Sequence, residues 1–73
     1  MTKEAKATLC VLVSNAFAGA EDDLHRARLS FRGHSAEDMQ REHGHSGRTR
    51  KEVLDEAEQR VEHLRRVKAE LLS

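Results

Sequence analysis

The polar segment HGHSGRTRKE, at positions 43–52, contains most of the residues in this sequence that could do chemistry. It combines two glycines with histidine, hydroxyl and cationic side chains, and it contains no apolar residue. A glycine-containing turn that leads into a helix presents free backbone amides at the positive end of the helix dipole, which is a site for anions. The segment therefore predicts an anion or nucleotide-phosphate site formed by His45, Ser46, Gly47, Arg48, Thr49, Arg50 and Lys51.

A turn without any ligand explains most of the same residues. Gly44 can end one helix, while Thr49 and Glu52 have the spacing of a capping box that starts the next. The Gly-Lys-Ser/Thr ending of a P-loop is missing, and no strand pattern precedes the segment. The turn alone leaves one feature unexplained, because a helix N-terminus repels the bases that are concentrated beside it. Both interpretations stay open at this stage.

Metal binding and catalysis find less support in the sequence. Zinc sites are built from cysteine thiolates or from a dense set of cysteines and histidines, whereas Cys10 is the only cysteine here. The acidic residues fall on helix faces that should be exposed, and no Ser-His-Asp arrangement is evident. We therefore expect no metal, no cofactor and no catalytic residues, and the protein is not expected to be an enzyme.

The charge balance bears on nucleic-acid binding. The chain has 13 basic and 13 acidic residues and no net charge, whereas DNA-binding domains usually carry a positive excess. A short helix followed by a long one is the order of a helix-turn-helix, but Glu52, Asp55 and Glu56 occupy the first turns of the long helix. Carboxylates at those positions would repel phosphates, so nucleic acid is a disfavoured partner.

The chain lacks proline and any alternating apolar pattern long enough for a strand, and its glycines separate three helical segments. An apolar stripe predicts a first helix over about residues 3–31, and a hydroxyl cap at Ser35 predicts a short helix over about 36–43. A third helix is predicted over about residues 50–72. The expected fold is a single all-α domain over residues 1–73, a hairpin of two long helices joined by a short one.

The first helix has more apolar surface than one partner helix can cover. The residues from Leu9 to Val13 are consecutive and apolar, so they face all sides of a helix. A domain of 73 residues also has few large apolar side chains with which to stabilise itself alone. Both observations predict a homo-oligomeric helical bundle, with a peripheral N-terminus as the alternative. The predicted interface residues are Leu9, Leu12, Val13, Ala16 and Phe17.

Three stretches in the middle of the chain, LHRARLSFRG, MQREHGHSGRT and KEVLDEAEQ, are similar to small uncharacterised helical accessory proteins of tailed phages and prophages. In that group an Arg/Ala-rich helix ends at Phe-Arg-Gly, which corresponds to Phe31-Arg32-Gly33 here. A Gly-x-Ser-Gly-x-Thr turn starts the last helix of the group. The corresponding residues in this chain are Gly44, Ser46, Gly47 and Thr49. The similarity covers roughly residues 22–58, implies a viral accessory role and supplies no catalytic residues.

The sequence leads to two functional hypotheses. The first is a non-enzymatic phage-type accessory protein, a homo-oligomer in the cytoplasm of the bacterial host that binds and inhibits a host defence protein. The second is a sponge that sequesters a phosphate-bearing signalling nucleotide through residues 44–51 at subunit interfaces. No apolar run is long enough to span a membrane. The alternative to a cytoplasmic location is secretion, because the stretch from Lys3 to Ala18 has some features of a signal peptide.

Overall fold

The computed structural model describes all of residues 1–73 and is built from three helices. Helix α1 spans Lys3–Ser30, α2 spans Ala36–Met39 and α3 spans Arg50–Leu72. Helices α1 and α3 pack against each other as an antiparallel hairpin, and α2 lies in the connection between them. The predicted all-α hairpin with a short joining helix is confirmed, and both long helices have the predicted limits to within one residue.

Hydroxyl side chains start all three helices. Thr2 caps α1, and Ser35 caps α2. At the start of α3 the Thr49 hydroxyl accepts a hydrogen bond from the amide of Glu52, and the Glu52 carboxylate accepts one from the amide of Thr49. This reciprocal pair is the predicted capping box. It satisfies two backbone amides that have no partner inside the helix.

The interior of the hairpin is a narrow apolar seam. Ala20 and Leu24 of α1 are buried against Val61 of α3. Phe31, the fourth buried residue of the chain, follows the end of α1. Partly buried apolar side chains extend the seam on both sides: Phe17, Leu54, Ala57 and Leu64. Because only four of 73 residues are buried, the hairpin has a small core for its length.

Contacts across the seam define how far the two long helices overlap. Near the loop end, Arg28 lies 3.9 Å from Glu58. Near the other end, the Lys68 ammonium lies 5.4 Å from the centre of the Phe17 ring. Both helices rise 1.5 Å per residue, so this register brings the end of α3 level with about residue 13 of α1. The first turns of α1 therefore project beyond α3.

The short helix ends earlier than the sequence pattern predicted. Helix α2 covers only Ala36–Met39, whereas the prediction extended it to residue 43. After α2 the chain turns, and Glu42 pairs with Thr49 in an isolated antiparallel bridge. The amide of His43 donates to the carbonyl of Arg48 at 2.7 Å. This pairing engages backbone groups that a longer α2 would need, so the helix stops before it.

The hairpin is long and thin. It measures 50 × 21 × 15 Å and has a radius of gyration of 15.7 Å, compared with about 11 Å for a compact domain of this length. Its accessible surface is 5624 Å², against about 4,600 Å² expected for a compact monomer of 8.3 kDa. The single chain therefore exposes an excess of surface to solvent.

The capping box generates a prediction about stability. Thr49→Ala removes the hydroxyl that accepts from the amide of Glu52, so the free energy of unfolding should fall by about 1 kcal/mol. Denaturant titration followed by far-ultraviolet circular dichroism measures this change. Thr8→Ala is the matched control, because the Thr8 hydroxyl bonds only to the Glu4 carbonyl within α1 and alanine favours helix interiors. An unchanged midpoint for Thr49→Ala would mean that α3 begins at a different residue.

Candidate functional site

The connecting loop, defined here as residues 43–52 and so including the first three residues of α3, is held in shape by backbone hydrogen bonds. In addition to the bond between His43 and Arg48, the amide of Arg50 donates to the carbonyl of Arg41 at 3.0 Å. These two bonds flank the bridge that joins Glu42 to Thr49. The loop is thus closed at its base by a short antiparallel pairing.

The small and hydroxyl residues of the loop contribute to this shape. The Ser46 hydroxyl donates to the carbonyl of His43 at 2.7 Å and accepts from the amide of Arg48 at 3.2 Å. Gly44 and Gly47 have φ angles of 58° and 75°, a left-handed conformation that glycine adopts without steric cost. Two of the residues predicted for the anion site, Ser46 and Gly47, therefore have a role in the turn itself.

The chain's own glutamates occupy amides that an anion would need. The amide of Gly47 donates to the Glu42 carboxylate at 2.8 Å, and the amide of Thr49 donates to the Glu52 carboxylate at 3.4 Å. A phosphate at either amide would have to displace a carboxylate. Two of the backbone donors in the loop are therefore already bound to negative charge.

The loop arginines also have partners within the chain. The Arg48 guanidinium forms an ion pair with the Glu56 carboxylate on α3. Arg50 is half-buried and donates to the carbonyl of Asp38 in α2 at 3.1 Å. Lys51 is exposed. The contacts of Arg48 and Arg50 explain why these arginines lie beside a helix N-terminus. They support the interpretation of the loop as a turn. The anion site stays a prediction.

Two histidines pack on the buried Phe31. The ring of His43 lies edge-on to Phe31 with centroids 5.3 Å apart, and the ring of His34 lies at 5.9 Å. The Nδ1 atom of His34 is buried without a hydrogen-bond partner. Nowhere in the chain do three or more His, Cys, Asp or Glu side chains form a group that could hold a metal ion. Through His43, the connecting loop is attached to the end of the hairpin.

The acidic residues of α1 that were considered for catalysis lie on the surface beside arginines. Asp22 lies 2.8 Å from Arg26, and Asp23 lies 4.0 Å from Arg60. A shallow groove of about 230 Å³ runs between the two long helices here. Its lining includes Asp23, Arg48, Glu56 and Arg60. Because its two arginines pair with its two carboxylates, the groove holds no uncompensated charge for a ligand.

The second candidate site is the N-terminal half of α1. No charged residue occurs from Ala7 to Ala20, about 20 Å of helix, although 36% of the whole chain is charged. Within this uncharged segment, Leu9, Val11 and Leu12 have exposed fractions of 36%, 59% and 58%. None of the three helices combines the length and the hydropathy needed to cross a membrane. Leu9 and Leu12 share one side of α1, and an exposed apolar face of this kind is typical of an interaction site.

The residues predicted for the oligomer interface divide into two groups. Leu9, Leu12 and Ala16 are exposed, whereas Val13 and Phe17 are half-buried. Phe17 packs against the core of the hairpin, so it belongs to the seam within the subunit. The exposed group lies on a neighbouring side of α1.

The residues predicted for the two sites did not include three that the structure makes prominent. Val11 and Leu72 are exposed by 59% and 67%, and the Leu71-Leu72 pair at the end of α3 was a signal for the second of them. Glu42 was not expected to bind the amide of Gly47. No local signal identifies that contact, because it depends on the antiparallel pairing across the loop.

Compared with protein families, curated proteins and solved structures, the chain shows no significant match. The two candidate sites are therefore interpreted from their own geometry.

The partners of the loop bases generate a prediction. For a loop that is only a turn, Arg48→Ala should lower the free energy of unfolding by less than about 1 kcal/mol, because it removes an exposed ion pair. Lys51→Ala is the matched control and should leave stability unchanged. Nucleoside monophosphates, diphosphates and cyclic dinucleotides should not raise the melting temperature of the wild-type protein, as followed by circular dichroism.

The nucleotide titrations are made at low ionic strength, because salt screens exposed charges within about 8–10 Å under physiological conditions. A shift of several degrees for one nucleotide, lost in Arg48→Ala/Arg50→Ala/Lys51→Ala, would contradict the turn interpretation. The folding of the triple variant is checked separately, since Arg50 also bonds to α2.

Proposed function

We propose that the protein is a non-enzymatic interaction protein, a helical homo-oligomer that binds a partner protein. The observation that carries this proposal is the apolar surface of the uncharged segment, where Leu9 and Leu12 are exposed on one side of α1. Burial of apolar area contributes about 25 cal/mol per Å². A surface of this kind therefore favours association with another chain over contact with water.

The size of the exposed surface supports the homo-oligomeric part of the proposal. Small domains of this length often depend on partner subunits for stability. The excess over a compact monomer is about 1,000 Å². A standard interface takes about 800 Å² from each partner. One interface per subunit would thus account for most of the excess.

The choice of a host protein as the second partner rests on the resemblance of residues 22–58 to phage accessory proteins. Many charged side chains of the hairpin are paired with one another, as Arg65 is with Glu62 at 3.0 Å. Shape and apolar contact, rather than a free reactive group, are then the basis of recognition. We propose that the oligomer covers, and so inhibits, a surface of a host defence protein.

Val13 provides a test of the assembly. It is half-buried and lies on the same side of α1 as the buried Ala20 and Leu24. Val13→Asp should dissociate or unfold the protein, because a carboxylate buried there has no partner. Light scattering coupled to gel filtration, at micromolar concentration, should give the wild type a mass of two or more subunits of 8.3 kDa each.

Val11→Asp is the matched control for this experiment. It makes the same substitution on the opposite side of α1, at a side chain that is 59% exposed, and should keep the wild-type mass. A wild-type mass of 8.3 kDa under these conditions would disprove the homo-oligomer.

The host-protein part requires a separate measurement. Tagged wild-type protein is used to capture proteins from a bacterial lysate, and each candidate is then purified and titrated calorimetrically against the oligomer. We expect one candidate to bind with a fixed stoichiometry per subunit. If none binds as a purified protein while one nucleotide stabilises the hairpin, the nucleotide sponge is the better hypothesis.

A further inference from the structure

We infer that the apolar face of α1 is covered by α1 of a second copy of the chain, packed antiparallel about a two-fold axis near residue 14. This inference rests on the proposed homo-oligomer. It adds which helix pairs with which, in what direction and in what register.

Four residues of the uncharged segment define the contact face, namely Leu9, Leu12, Ala16 and Gly19. Their 3-4-3 spacing keeps them on one side of a helix, and all four are exposed in the single chain. At about 100° per residue, this face lies roughly a quarter turn from the side that buries Leu24 against α3. A second helix can therefore pack on it while the hairpin stays intact.

Charges at the ends of the segment determine the direction of packing. The nearest charged residue before the segment is Lys6, and the nearest after it are Glu21 and Asp22. An antiparallel overlap brings Lys6 of each copy level with Asp22 of the other. A parallel overlap would put the two copies of Lys6 at one level and the two copies of Glu21 and Asp22 at another, so each end of the pair would concentrate like charge, which is unfavourable. Charge complementarity favours the antiparallel arrangement.

Side-chain size determines the register. With the axis near residue 14, Leu12 lies against Ala16 of the second copy, and Leu9 lies against Gly19 of the second copy. Each large side chain meets a small one, which lets the helices approach closely and fill the space between them. Asn15 lies beside its own counterpart, where two side-chain amides can hydrogen-bond to each other.

Gly19 has no role inside the subunit that would require glycine. It lies in the interior of α1, where glycine is less favourable than alanine, and its φ angle is not positive. A Cβ atom at this position would meet nothing within 4 Å. The closer approach of a second helix explains why a side chain is absent here.

The same axis accounts for the exposed end of α3. The register of the hairpin puts Leu72 level with about residue 13 of α1, so both copies of Leu72 lie at the height of the axis. This side chain is 67% exposed in the single chain. The two α1 faces and the two α3 ends together form one interface, comparable in size to the surface excess of about 1,000 Å² per subunit.

A matched pair of substitutions tests the position of the face. Ala16→Glu and Ala18→Glu make the same change at two exposed alanines, the first on the contact face and the second on the opposite side of α1. By sedimentation equilibrium, Ala16→Glu should raise the dimer Kd at least about tenfold, because it brings a carboxylate into an apolar contact. Ala18→Glu should leave the Kd within about threefold of the wild type. Equal effects of the two variants would overturn the placement of the face.

Gly19→Ala tests the close approach of the two helices, because alanine should stabilise the helix within each subunit but weaken the contact between subunits. The variant should increase the helix content of the dilute monomer and at the same time weaken association. Unchanged or tighter association would overturn the close approach.

Cross-linking tests the direction and the register. In a Cys10→Ser background, Asn15→Cys places one thiol per chain beside its counterpart, and a short bismaleimide should join the two chains. Thr8→Cys in the same background is the control, one heptad before Asn15 on the same side of α1. It is about 18 Å along the axis from its counterpart in the antiparallel register and level with it in a parallel pair, so it should not be joined, and a cross-link there would overturn the antiparallel direction. If the oligomer keeps its mass but Asn15→Cys does not cross-link, the antiparallel register is overturned and the homo-oligomer stands. A monomeric wild type would overturn both.

Discussion

The contact of Val61 with Ala20 and Leu24 holds the two long helices together, and the rest of the structure depends on it. Other apolar side chains at the seam, such as Leu54 and Leu64, are only partly buried. A core of this size is small for a domain of 73 residues. The hairpin therefore depends strongly on what stabilises its two ends.

The two ends are stabilised by different kinds of contact. At the loop end, Glu42 binds the amide of Gly47, and Arg50 binds the carbonyl of Asp38. These partners are close in sequence, so little chain entropy is lost in bringing them together. At the opposite end α1 extends beyond α3, and from Ala7 onward its side chains there are uncharged. That end lacks the polar contacts of the loop end and presents apolar surface instead.

The parts of the fold that depend on local chemistry could be predicted from the sequence. Thr49 and Glu52 have the spacing of a capping box, and the predicted start of α3 is confirmed. The end of α2 could not be predicted, because it is determined by pairing between Glu42 and Thr49 on opposite sides of the loop. The role of Arg48 was missed for a similar reason, since the fold brings its partner Glu56 from the next helix. The sequence predicted the apolar surplus of α1, whereas its exposed extent depends on where α3 ends along it.

Because the contacts are distributed unevenly, the helical order of the first turns of α1 depends on association with a second chain. Most helical stability in proteins comes from the packing of one face rather than from intrinsic propensity. The first turns of α1 project beyond α3, so a second chain is what would supply that packing in the proposed oligomer. Binding to the ordered form then stabilises it by mass action, in proportion to the logarithm of protein concentration. The loop end is held by contacts within one chain and does not have this dependence. The absence of charge from Ala7 to Ala20 fits such a division, because water must leave that surface on association and a charged group there would oppose it.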